Sequence, residues 1–281
     1  MRRTLAEPEM VSASLPARAV RRARHHVLTH LQHAFTRVNE RPVIVLGNQK
    51  SGTSALVSLL AAAAGKRATN DIFTWYGDME GELLAGRMSF PEFVERARYH
   101  FSSAFVKDPS FTFMLPAVKT RFPEARFVFV VRDPRLNIRG ILNRVEVPGT
   151  LADLDAAAFA QVRAQRPGWL PVLDGRGVVT EGTHVARLAH RCRIAMEIAA
   201  AHRTQWPVVR YEDFLADKPG TIAATLEAVG EQARHDIAPL ADNPFQPPSR
   251  NRSTPADFFS PTNLTLIEEI CGQAMTEFGY R

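Results

Sequence analysis

Apolar residues run without interruption through 42–46 (PVIVL) and through 127–131 (FVFVV), and a third run, WPVV, opens the stretch 206–213 (WPVVRYED). Each run is short and rich in β-branched or aromatic residues, which predicts strands buried on both faces. Between them the apolar spacing changes to that of helices. SALVSLLAAAAG after residue 53 predicts an Ala/Leu-rich helix closed by Gly65, and further helices are predicted over 90–105, 184–203 and 219–229, the last stopped by Gly230. After the second strand, Asp133 has the chemistry of an N-cap and Pro134 that of a first helical residue. Strands apolar throughout and alternating with helices predict an α/β fold, a parallel β-sheet flanked by helices on both faces.

The first 40 residues break this pattern. They are arginine-rich and glycine-free, and Val20, Val27, Leu28, Leu31, Phe35 and Val38 recur at helical spacing while Arg21, Arg22 and Arg24 gather at the start. The chain therefore divides into a basic helical arm, 1–40, and a main domain, 41–281. The arm's apolar stripe would pack on the main domain, form a dimer contact, or lie at a membrane surface as a peripheral contact; a nucleic-acid role is not expected. A formal charge of +6 points to an anionic partner without naming it. No apolar run reaches about 18 residues and no signal-peptide pattern opens the chain, so a cytoplasmic protein is expected, peripheral to a membrane if the arm lies on one. Cys192 and Cys271 match no metal or redox spacing and read as reduced structural thiols.

The chemistry begins at the end of the first strand. Residues 47–54 (GNQKSGTS) have the glycine spacing of a phosphate-binding loop, but Thr53 stands where an NTPase has its lysine, and the cation is Lys50 instead. Gly47 and Gly52 allow close backbone approach. Amides from Lys50 to Ser54 and the hydroxyls of Thr53 and Ser54 can cradle an oxyanion at a helix N-terminus. The second strand ends in Arg132, a cation where a metal-binding carboxylate would be sought. Two strand ends offering cations and amides suit a nucleotide held at two anionic ends, with no metal required.

GNQKSGTSAL, FVFVVRDPRLNIRGILNR, VVRYEDFLADKP and the C-terminal SPTNLTLIEEICGQAMTEFGY, in this order, resemble the PAPS-dependent sulfotransferases over residues 42–281. The resemblance implies their P-loop NTPase-like fold. It also implies an enzyme that moves a sulfuryl group from 3′-phosphoadenosine 5′-phosphosulfate (PAPS) to a hydroxyl, less readily an amine, of a glycan, lipid or small molecule, releasing PAP without a metal. Gly47, Gln49, Lys50, Ser51, Gly52, Thr53 and Ser54 match the family's 5′-phosphosulfate loop, with Lys50 as its catalytic cation. Arg132 matches the 3′-phosphate arginine. Where the family has a serine eight residues further on, this chain has Gly140, so Asn137, Arg139 or a backbone N–H would have to compensate. Tyr211 resembles the adenine-proximal tyrosine, and Arg250 and Arg252 fall in a Pro-rich basic loop that closes over the 3′-phosphate in relatives.

Lys107, in FVKDPSF, resembles a second sulfate-side lysine, but Pro109 stands where many relatives carry a catalytic histidine. Other branches of the family use a glutamate or aspartate after the first helix, so the resemblance implies a carboxylate base. Asp71 in NDIFTW is the favoured candidate, Glu80 and Asp108 are its rivals, and Asp78 and Glu82 are in the same stretch. Phe73, Trp75, Tyr76 and Trp169 are candidate walls of an acceptor pocket. A metal-dependent P-loop kinase and a non-catalytic nucleotide-binding protein on the same scaffold are the competing readings.

Overall fold

The structure is a computed structural model, and it describes residues 36–76, 78–243, 245, 251 and 253–281. The predicted helical arm lies almost wholly outside them. Five strands form one sheet in the order β2-β3-β1-β4-β5, with β1 (Val43–Gly47) central. β2 (Ala68–Asn70) and β3 (Phe105–Lys107) are three-residue strands that the sequence pattern does not reveal, because neither is long enough to show a period. β4 is Arg126–Val131 and β5 is Val208–Arg210. The pairings β1–β3, β2–β3 and β4–β5 are all parallel.

The chain separates into two compact units. Among the described residues the first holds 36–46, Ser54–Val128 and the stretch from Asp217. Its helices include all but the first residue of α1 (Thr53–Ala64), α2 (Phe90–Arg96), α3 (Leu115–Arg121) and, late in the chain, Lys218–Ala228. The predicted helix over 90–105 breaks at Ala97, and the chain then enters β3. A phenylalanine cluster fills this unit, with Phe73 stacked on Phe93 at 4.8 Å and Phe101 on Phe122 at 5.5 Å. Aromatic pairs of this kind add to the gain from burial alone.

The second unit holds Gly47–Thr53, Phe129–Ala216 and the C-terminal stretch. Its long helices are α4 (Pro134–Val145), α5 (His184–His202) and α6 (Pro261–Glu277). Ile138, Ile141, Leu142, Leu188, Cys192, Ile267, Cys271 and Met275 form their common core. The two cysteines are free and buried. Asp133 caps α4 as expected, its carboxylate accepting from the Arg135 N–H, with Pro134 as first residue. The expected third strand is shorter than the sequence suggests: it stops at Arg210, and Tyr211 opens a helical turn, Tyr211–Ala216.

Candidate functional site

In the second unit the loop leaves the carboxyl end of the central strand, the position where open parallel sheets bind ligands. Gly47 (φ 147°) and Gly52 (φ 103°) are both at backbone angles that a side chain disfavours. A Cβ on Gly52 would lie 2.2 Å from the Tyr211 ring, and one on Gly47 would lie 2.7 Å from the Val130 carbonyl oxygen. Lys50 is left-handed too, at φ 64°, without being glycine. Such a conformation persists where the surroundings hold it.

Those surroundings are specific. Asn137 Nδ2 donates to the Gln49 carbonyl at 3.0 Å, and Arg132 Nη1 donates to the Lys50 carbonyl at 2.7 Å. Ser51 donates to the Asn48 carbonyl through its hydroxyl at 2.8 Å and through its N–H at 3.2 Å. Three successive loop carbonyls are thereby occupied by donors of the same unit. The α1 N-terminus, which starts at Thr53, carries N–H groups with no acceptor inside the helix. Tethered carbonyls beside a helix N-terminus make a backbone suited to an anion.

Arg132 is half-buried, and desolvation pulls its pKa down, opposed by Tyr211, Glu212 and Asp133. The shift starts so high that the guanidinium stays charged at neutral pH. Its Nε–H has no hydrogen-bond partner among the described residues, and the guanidinium stacks 4.6 Å from the centre of the Tyr211 ring. Asp133, the nearest acid in sequence, is paired with Arg135 instead, at 2.8 Å. Tyr211 is half-buried, lying between Gly52 and Arg132.

Gly140 lies beside the same two cations: a Cβ there would be 3.4 Å from Lys50 Cβ and 3.6 Å from Arg132 Nη1. Asn137, one of the residues expected to compensate, is buried and bonded to the loop. Its Nδ2 is committed to Gln49, and its Oδ1 accepts from Asn48 Nδ2 at 3.0 Å and Cys192 Sγ at 3.2 Å, so it anchors the loop. Arg139 donates to the Ser253 carbonyl, and Asn143 donates to the Asn251 carbonyl at 3.1 Å. Arg250 and Arg252 lie outside the described residues.

A different chemistry occupies the first unit. Lys107, at the end of β3 and almost fully buried, donates to Asp71 Oδ1 at 2.7 Å and to Ser54 Oγ at 2.8 Å. Asp71 follows β2 directly, in a left-handed conformation (φ 52°), and its N–H donates to the Lys107 carbonyl at 2.8 Å. The short β2–β3 pairing thus brings residues 36 apart in sequence into an ion pair. Asp108 lies buried beside them. Its Oδ2 accepts from the Phe73 N–H at 3.1 Å and its Oδ1 from the Ser110 N–H at 3.0 Å. Burial pushes its carboxyl up to about 7, helped by Asp71 and Glu80 and opposed by the Ser110 N–H and Lys107.

With both oxygens tied to backbone N–H groups, Asp108 is built as a tether rather than as an open base. Glu82 is paired with Arg87 at the surface, at 2.8 Å. Phe73 and Tyr76 are core residues: Phe73 stacks on Phe93, and the buried Tyr76 hydroxyl bonds His100 Nδ1 at 3.0 Å. Trp169 packs against the core of the second unit, and Trp75 is half-buried.

Sequence reasoning missed Asn48, Asn137 as a loop anchor and Arg191, which donates to the Gln49 side chain at 3.1 Å. Arg191 falls on the inner face of a helix whose apolar spacing marks core, and a charged residue on that face was the available signal.

Among the described residues no helix is long and apolar enough to cross a membrane. The model of the Sulfotransferase family matches residues 74–235. No curated protein matches the chain. Among solved structures, sulfotransferase STF9 from Mycobacterium avium is similar, with TM-score 0.54 at 13% identity, covering 92% of this chain and 81% of that one. STF1 from Mycobacterium tuberculosis gives TM-score 0.47 at 15% identity, covering 90% and 81%. Mouse SULT7A1, solved with PAP, gives 0.45 at 13%, covering 87% and 88%. At these identities the M. avium likeness speaks for the fold alone.

Proposed function

This chain belongs to the sulfotransferase family, and from that premise we propose that it transfers the sulfuryl group of PAPS to a hydroxyl of a glycan, lipid or small molecule, leaving PAP. The observation that carries this reading is the Lys50–Arg132 arrangement: two cations joined through the Lys50 carbonyl at 2.7 Å, on a loop whose carbonyls are held. Such a loop is poorly suited to a triphosphate, because the lysine that bridges β- and γ-phosphates in NTPases is replaced by Thr53. It suits a single 5′-phosphate carrying sulfate.

In this reading the loop amides hold the phosphosulfate, and Lys50 stabilises charge that develops on the bridging oxygen. Arg132 offers its remaining donors to the 3′-phosphate, and Tyr211 offers its ring to adenine. The acceptor oxygen forms a bond to sulfur as the sulfur–oxygen bond to phosphate breaks, and PAP leaves. For the hydroxyl proton the resemblance offers Asp71 as the base, ion-paired to Lys107 at 2.7 Å. The test is incubation with PAPS and a panel of hydroxyl acceptors, following PAP by chromatography with and without EDTA. Acceptor-stimulated, EDTA-insensitive PAP release is expected; ATP turnover that EDTA abolishes would contradict the reading.

A further inference from the structure

Arg191 is one of the largest fully buried side chains of the protein, and nothing in the proposed transfer uses it. It sits on α5, in a segment whose other inward residues, Leu188, Ala195 and Met196, are apolar. Removing a guanidinium from water is costly unless its hydrogen bonds are replaced. Here Nε donates to Gln49 Oε1 at 3.1 Å and Nη1 donates to the Arg176 carbonyl at 3.3 Å. The Gln49 contact is the informative one. Gln49 is itself buried, its carbonyl is held by Asn137, and the next residue is the left-handed Lys50, whose carbonyl is held by Arg132. Gln49 is thus gripped at both its side chain and its backbone, immediately before the strained lysine.

We propose that Arg191 is a positioning residue for Lys50: by fixing the Gln49 side chain it keeps the loop in the conformation that aims the lysine. The inference rests on the proposed role of Lys50 and extends it to a residue on a distant helix. A conformation disfavoured for a non-glycine residue relaxes when one of its holds is removed. Losing the Arg191–Gln49 bond would therefore misplace a cation that acts in the transition state while leaving the anion cradle largely intact. The expected signature is a loss in the rate of sulfur–oxygen cleavage without a matching loss in nucleotide affinity.

The experiment is a double-mutant cycle of Arg191→Met, Gln49→Met and the double variant in the full chain. It reads two quantities, PAP affinity by calorimetry and the single-turnover rate at which enzyme-bound PAPS gives PAP and sulfate, with water as the acceptor. Each single variant is expected to lose about 10²-fold in rate, as small misplacements of catalytic groups do, with PAP affinity changed by less than about threefold. Because the two residues act through one bond, the double variant should be no slower than the slower single variant.

Additive losses, an unchanged rate, or rate and affinity falling together would each overturn the proposal. Should Arg191→Met fail to fold, Gln49→Met carries the test through its own split between rate and affinity, and an unchanged rate there is equally fatal. A wild-type protein that does not bind PAP would bring down the donor reading and this inference together. Additivity in a protein that binds PAP normally would remove the inference alone.

Discussion

Around Lys50 the polar contacts run from side chains into backbone: Asn137, Arg132 and Ser51 each donate to a loop carbonyl. Around Asp71 two kinds of contact meet, since Lys107 bridges Asp71 and Ser54 through its side chain while Asp108 accepts from the N–H groups of Phe73 and Ser110. The first arrangement fixes a backbone conformation through its carbonyls. The second holds side chains, an ion pair and a carboxylate, in place. On the proposed reading donor recognition belongs to the residues around Lys50 and proton handling to Asp71, and substitutions in the two regions should separate along that line.

The largest effect is expected at the loop. Lys50→Ala should lower the transfer rate by about 10³ while PAP affinity falls only moderately, since a cation acting on the leaving oxygen stabilises the transition state more than the ground state. Parallel losses in rate and affinity would remove that distinction. Asp71→Asn should come next. A loss of about 10² in kcat, with the KM for PAPS little changed, is the expected mark of a base that never touches the donor. If the KM for PAPS rises instead, Asp71 belongs with the donor contacts and the contrast between the two regions fails.

Arg132→Ala should act in the opposite sense to Asp71→Asn, weakening PAP by about 2–4 kcal/mol through loss of a charge-assisted contact; an unchanged dissociation constant would exclude Arg132 from the nucleotide site. A smaller effect sharpens the titration side of the comparison. With its carboxyl raised to about 7, Asp108 holds a proton more tightly in the folded protein than in the unfolded chain, where carboxyls titrate near their ordinary value of about 4. Its contribution to stability is therefore greatest at low pH and is lost as pH rises from about 4 to about 7, by at most about 1.4 kcal/mol per unit. Urea unfolding should show wild type losing stability relative to Asp108→Asn between pH 5 and pH 8, whereas parallel pH curves would contradict the shift.

The smallest effect belongs to Gly140→Ser. A Cβ at 3.4 Å from Lys50 Cβ is an ordinary contact, so the variant should fold normally. It should change PAP affinity by no more than about 1 kcal/mol, the worth of one added hydrogen bond, and a larger loss would mean that the space beside Arg132 is already needed.

Strand, loop and helix alternation was legible from apolar runs alone, because β1 and β4 are buried along nearly their whole length and carry no polar interruption. The loop, Arg132 and the Asp133 cap followed from residue type at a strand end. β2 and β3 were not legible: three residues show no period, and their pairing depends on contacts distant in sequence. That pairing is also what makes Asp71 and Lys107 neighbours, which their spacing in sequence does not show. The packing of Phe73 against Phe93 and of Tyr76 against His100 was not legible either, since an aromatic near an acidic stretch has the same composition whether it lines a pocket or packs in a core. Arg191 and Asn137 were hidden because a loop's anchors come from helices about ninety and one hundred and forty residues away.

The central claim, a metal-independent site for a nucleotide with separate 5′ and 3′ anions, is tested most directly by calorimetric titration with PAP against 5′-AMP and Mg-ATP. Micromolar PAP binding, far weaker binding of the other two and no change with EDTA is the predicted result. Tighter binding of Mg-ATP than of PAP would contradict it.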